Sequence, residues 1–164
     1  MKSIKKILVP VDLSSQALET VQFAADLARR YAAELTIMHV YQPESPCACG
    51  GASCRPPAPD EEPDVVDLQL LAAKRAALAS GAPQVETIRS PGSVAPEIVH
   101  VAGARNYDLI VMGSQERSAQ EQQLFGSVMQ SVVRQAPCPV ITMRPPPLTR
   151  MSSPPDALPD LTRA

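Results

Sequence analysis

The chain has 164 residues, 45% of them hydrophobic but only 3% aromatic, with no tryptophan and a net charge of −2. That length suits one domain with an aliphatic core. The charge balance gives no electrostatic case for nucleic acid, and no apolar run is long enough to span a bilayer.

The opening "MKSIKKILVPVDLSS" starts like a secretory leader, but Pro10 and Asp12 interrupt the apolar stretch too early for one. The expectation is a cytoplasmic protein whose four cysteines are thiols or ligands rather than structural disulfides. Residues 5–11, "KKILVPV", read as a buried strand ended by Asp12. A helix follows, with Leu18, Val21, Ala24, Ala25, Leu27 and Ala28 at helical spacing and Ser14 or Ser15 available as a cap. "ELTIMHVY", 34–41, is a second strand. Residues 65–80 predict a helix stopped by Gly81. "QVETIRS", 84–90, is a shorter and more polar strand, expected at a sheet edge. Residues 93–106 predict a helix starting around Pro96, where a missing N–H costs least. "YDLIVMG", 107–113, is a strongly apolar strand, 127–136 a helix, and "PVITMR", 139–144, the last strand.

Proline punctuates this order: its 18 residues concentrate in 42–64 and 145–164. Neither stretch can run a helix or an inner strand, because proline lacks the N–H and fixes φ. The reading is a domain over 1–144 with a Pro- and Cys-rich loop inserted at 43–63, then a disordered low-complexity tail over 145–164. Strands alternating with helices mean an α/β protein with a parallel sheet. The two most apolar strands, 5–11 and 107–113, belong at its centre. Ligands of such sheets bind beyond the strands' carboxyl ends, where the strand order reverses. If those two strands are neighbours, the crevice lies between Asp12 and Gly113.

The blocks "ILVPVDLS", "ELTIMHVY", "PGSVAPEIVHVAGARNYDLIVMGS" and "FGSVMQSVVRQAPCPVITMR" together resemble the universal stress protein family over residues 3–144, apart from the insert. The resemblance implies a doubly wound five-stranded parallel sheet of order 3-2-1-4-5 with helices on both faces. It also implies a homodimer through the last strand, 139–144, and a role in stress survival or regulation rather than a defined reaction. Many members bind ATP through glycine, two residues, glycine, nine residues, glycine and serine. Gly113 fits the first glycine, and Gly126 and Ser127 fit the last pair, but the second position is Glu116. By the same resemblance Val11, Asp12 and Val40 flank the adenine and ribose, and Met112 and Gly113 start the phosphate loop. Ser127 and Val128 offer backbone donors to the phosphates. His39 matches the histidine usual in the family's second strand.

The residues themselves support part of this. Gly126, Ser127 and Val128 open a helix, whose free N–H groups and dipole favour an anion. Gly113 lets the backbone turn sharply beside a ligand, and Asp12 can accept from ribose hydroxyls. Taken singly, each has a plainer job: Ser127 as a helix cap, Gly113 as a turn, Asp12 in an Asx turn. Glu116 opposes phosphate binding. A carboxylate about 4 Å from a phosphate costs roughly 1 kcal/mol in water and about 4 kcal/mol at an effective dielectric of 20, on the order of tenfold to a thousandfold in affinity. Arg117 does not offset Glu116 and Glu121 together. Magnesium bridging Glu116 to a phosphate would preserve binding. The expectation is weak or absent ATP binding, with a competent ATP-binding sensor as the alternative.

Cys47, Cys49 and Cys54 carry a further alternative, a metal- or redox-responsive loop. Their C-x-C-x4-C spacing is not a standard zinc pattern and lacks a fourth cysteine or histidine, though Asp60 or Glu61 could serve, and the plain reading is a surface loop with idle thiols. Cys138 reads as a small buried hydrophobe and His100 as a surface residue. No Gly-x-Ser-x-Gly elbow or Gly-Lys-Ser/Thr loop is present, so no enzyme is expected.

Overall fold

The computed structural model describes residues 3–14, 17–41, 64–113 and 127–143. In chain order they form β1 (Lys6–Pro10), α1 (Ala17–Tyr31), β2 (Glu34–Tyr41), α2 (Val65–Ala79), β3 (Gln84–Pro91), α3 (Val94–Ala104), β4 (Leu109–Gly113), α4 (Ser127–Gln135) and β5 (Val140–Met143). The strands make one sheet of order β3-β2-β1-β4-β5, and every pairing is parallel. This is the doubly wound sheet the sequence implies, with the two most apolar strands adjacent at its centre.

Side chains alternate across the sheet, as the period of a strand requires, and they build two cores. Ile7 and Val9 of β1, Leu35 and Ile37 of β2, and Leu109 and Val111 of β4 pack with Val21, Ala24, Ala25 and Ala28 of α1 and Leu70 and Ala77 of α2. Leu8, Met38, Ile110 and Met112 face the other way, onto Ala95, Ile98 and Ala102 of α3 and Val132 of α4. The run "ILV" at 7–9 is fully buried because both its faces are covered. Asp108 ties the central pair together: its Oδ2 accepts from the backbone N–H of Lys5 at 2.9 Å and of Lys6 at 3.2 Å. The start of β1 is thereby fixed beside the start of β4.

The structure refines three points of the sequence reading. β3 lies at an edge as expected, but it pairs with β2 in register from Gln84 to Pro91 and is as long as β2. Its polar alternation marks an edge position, not a short element. α3 begins at Val94, so Pro96 is its third residue rather than its start. The first turn of a helix leaves its N–H groups without intrahelical partners, and proline is tolerated there too. Cys138 is half-buried, packed on the rim of the second core. No helix among the described residues is long and apolar enough to cross a membrane.

Candidate functional site

All five strands are parallel, so their carboxyl ends share one edge of the sheet. The strand order reverses between β1 and β4, and the ends of these two strands form the walls of the candidate cleft.

The β1 wall is held by β2. Val11 is buried; its N–H donates to the Met38 carbonyl at 2.8 Å, and its carbonyl lies 3.0 Å from His39 Nδ1. The carbonyl can only accept, so the imidazole carries its proton on Nδ1 for this contact. Asp12 follows, exposed, and its Oδ1 accepts from the Ser14 N–H at 3.1 Å, an Asx turn. This is the plainer job the residue type allows, and it leaves Oδ2 clear of that contact. Between them Leu13 has φ +61°. A left-handed leucine is strained by roughly 1–3 kcal/mol, and such strain collects at ligand clamps. The Ser14 carbonyl then accepts from the Ala17 N–H at 3.1 Å and leads into α1. Its hydroxyl does not cap the helix: it is buried with no hydrogen-bond partner among the described residues.

The β4 wall ends at Met112, buried, and Gly113, exposed and opposite Met143 of β5. Gly113 is the last described residue of this segment, so the turn expected after it lies outside the described residues. Its φ lies outside the left-handed region occupied by Gly81 and Gly92. What requires glycine is space: a Cβ here would lie 2.9 Å from Thr20 Oγ1 on α1.

Of the other predicted site residues, Val40, Met112 and Val128 come together in the second core. Val40 and Met112 are buried, so only their backbone groups could meet a ligand. Ser127 is exposed as the first residue of α4. Gly126, Glu116 and Cys47, Cys49 and Cys54 lie outside the described residues. No cluster of metal-binding side chains occurs among the described residues. Sequence reasoning missed Leu13 and Thr20. Nothing about a leucine signals a left-handed backbone, and a threonine in an amphipathic helix reads as a minor core residue.

The fold and these two walls define a doubly wound α/β protein with an acidic turn at its topological switch point. The universal stress protein family model matches residues 3–144, and the chain belongs to that family. Universal stress protein YxiE of Bacillus subtilis is 30% identical over 146 residues, 85% of this chain and 98% of that one. Among solved structures, UspA from Lactobacillus plantarum superposes with a TM-score of 0.67 at 26% identity, covering 88% of this chain and all of that one (100%). The universal stress protein from Archaeoglobus fulgidus in complex with dAMP gives 0.61 at 25% identity, covering 86% and 98%.

Proposed function

We propose that this is a cytoplasmic regulatory protein of the stress response that works by binding an adenine nucleotide rather than by catalysing a reaction, and that its phosphate loop is weakened by Glu116. The observation that carries the reading is the adjacency of the Asp12 turn and the Gly113 end across the switch point of the sheet. The dAMP complex of the Archaeoglobus fulgidus relative supports the ligand class. In this reading Val11, Val40 and Met112 flank the adenine and ribose through their backbone groups. Asp12 accepts from ribose hydroxyls. Gly113 begins the phosphate loop, and the N–H groups of Gly126, Ser127 and Val128 meet the phosphates at a helix start. Glu116 sets a negative charge in that loop, so ATP binds weakly unless magnesium bridges the two. The working form is a homodimer joined through β5.

The test is calorimetric titration of ATP with magnesium into the native protein and into Glu116→Gly. The expected result is weak or no binding by the native chain and at least about tenfold tighter binding by the variant. Micromolar binding by the native chain would show that Glu116 does not close the site. Absence of binding by both proteins would overturn the nucleotide reading itself.

A further inference from the structure

We propose that Thr20 is the positioning residue of the cleft: it is the reason that position 113 is glycine, and it sets where the phosphate loop departs from β4. This rests on the nucleotide reading above for the loop's role, but not for the contact. Thr20 is 5% exposed, although its neighbours on that face of α1 are apolar. Its Oγ1 stands 2.9 Å from where a Cβ on Gly113 would lie, and its own Cβ stands 4.0 Å away. Real side chains essentially never come as close as that first distance, so any larger residue at 113 must displace Thr20 or the end of β4. A helical threonine has two usual rotamers, and at Thr20 either one must fit the close-packed layer between α1 and the sheet.

The chain path makes the contact a spacer between the two walls. From the Asp12 turn the backbone passes through the Ser14–Ala17 hydrogen bond directly into the first turn of α1, which ends at Thr20. The β1 wall is therefore joined covalently to the residue that touches the β4 wall. Glycine at 113 is normally read as room for a ligand. Here the protein's own threonine occupies the direction in which a side chain would point, and the backbone dihedral makes no demand for glycine.

A compensation series tests this. ATP affinity and melting temperature are measured for Gly113→Ala, Thr20→Ala, the Thr20→Ala/Gly113→Ala double variant and Thr20→Val/Gly113→Ala, all in the Glu116→Gly background. Gly113→Ala alone is expected to melt about 2–10 °C lower and to bind roughly tenfold more weakly or worse. Thr20→Ala/Gly113→Ala is expected to recover most of both losses, since removing Oγ1 vacates the space. Thr20→Val/Gly113→Ala is expected to recover neither, since valine keeps an atom there. Such non-additivity is the signature of two groups in direct contact. If the double variant regains its melting temperature but not its affinity, the alanine meets the ligand itself and the positioning role fails. If Gly113→Ala matches its parent in both readouts, the contact carries no force and the inference is overturned. If the parent binds no nucleotide, the functional reading falls and the positioning role with it, while the melting series still decides why position 113 is glycine.

Discussion

His39 joins the second strand to the site with one contact. Its Nδ1 lies 3.0 Å from the Val11 carbonyl, one residue before Asp12, and the ring is half-buried. A buried carbonyl that loses its donor costs about 1–3 kcal/mol. Replacing His39 with phenylalanine keeps the packing and removes the donor, so His39→Phe should melt roughly 2–8 °C below the native protein. His39→Gln can still donate and should recover part of that loss. Thermal melts of the three proteins check this, and equal melting of the phenylalanine and native forms would show that the contact does not hold the turn. At this scale the sequence was a partial guide. Asp12 could be read as an Asx turn because its side chain acts locally, two residues ahead. Gly113 could be recognised as special, but its reason lay in Thr20, 93 positions away, and no local pattern encodes a contact of that separation. Glu116 lies outside the described residues, so the expectation of a weakened loop rests on the sequence and awaits the titration.

Three helices end in the same way, which helps explain their stability. After α1, α2 and α3 the residue that follows the cap is Ala32, Gly81 or Asn106, with φ of +50°, +91° and +55°. Each termination closes two backbone bonds: Ala33 to Ala28 and Ala32 to Arg29, Ala82 to Ala77 and Gly81 to Leu78, Tyr107 to Ala102 and Asn106 to Gly103. This is the Schellman arrangement, which satisfies the last carbonyls of a helix and favours glycine, then asparagine, at the left-handed position. Alanine is the misfit. A left-handed alanine costs about 1–2 kcal/mol, while glycine gives back about 0.4–1 kcal/mol through the entropy of the unfolded chain. Ala32→Gly should therefore stabilise the protein by about 0.5–1 kcal/mol and raise its melting temperature by about 1–4 °C. A denaturant titration with unchanged slope and a higher midpoint would confirm it, and a lower midpoint would refute it. The sequence revealed Gly81 as a stop because the residue type fits the conformation. It could not reveal Ala32, where the close of α1 and the pull of β2 into the sheet override the local preference. The start of α3 was misplaced for a related reason: proline suits every position of a first turn, and so it marks that turn without numbering it.

The sheet buries its central strands on both faces, and among the described residues β3 and β5 form its two edges. They differ in character. Along β3 the edge carries Glu86 and Arg89, each tied to a neighbouring helix: Arg105 bonds Glu86 at 3.0 Å, and Arg89 bonds Asp67 at 2.9 Å. Charges that brace an edge discourage another strand from adding to it. β5 is Val140, Ile141, Thr142 and Met143, with no charge at all. This contrast favours β5 as the surface where two copies meet. The register states which backbone groups are available. The Ile110 N–H donates to the Pro139 carbonyl at 3.0 Å, with Ile110 opposite Val140. In a parallel pair, Pro139 and Ile141 then turn their backbone groups towards β4, and Val140 and Thr142 turn theirs outward. Proline at 142 would remove an outward N–H without touching the pairing with β4, and the restriction it places on Ile141 matches an extended strand. Thr142→Pro should therefore fold with little change in melting temperature at low concentration and sediment as a monomer, whereas the native chain is expected to sediment as a dimer. A native monomer would overturn the homodimer proposal, and a dimer that survives the proline would move the interface away from the backbone of β5. If the dimer dissociates as expected, ATP affinity measured on the monomer then separates the two parts of the proposal. Gly113 lies opposite Met143 in the register, so β5 forms part of the frame of the cleft. A partner strand that steadies β5 should tighten nucleotide binding, and by linkage bound nucleotide should strengthen the dimer by the same factor.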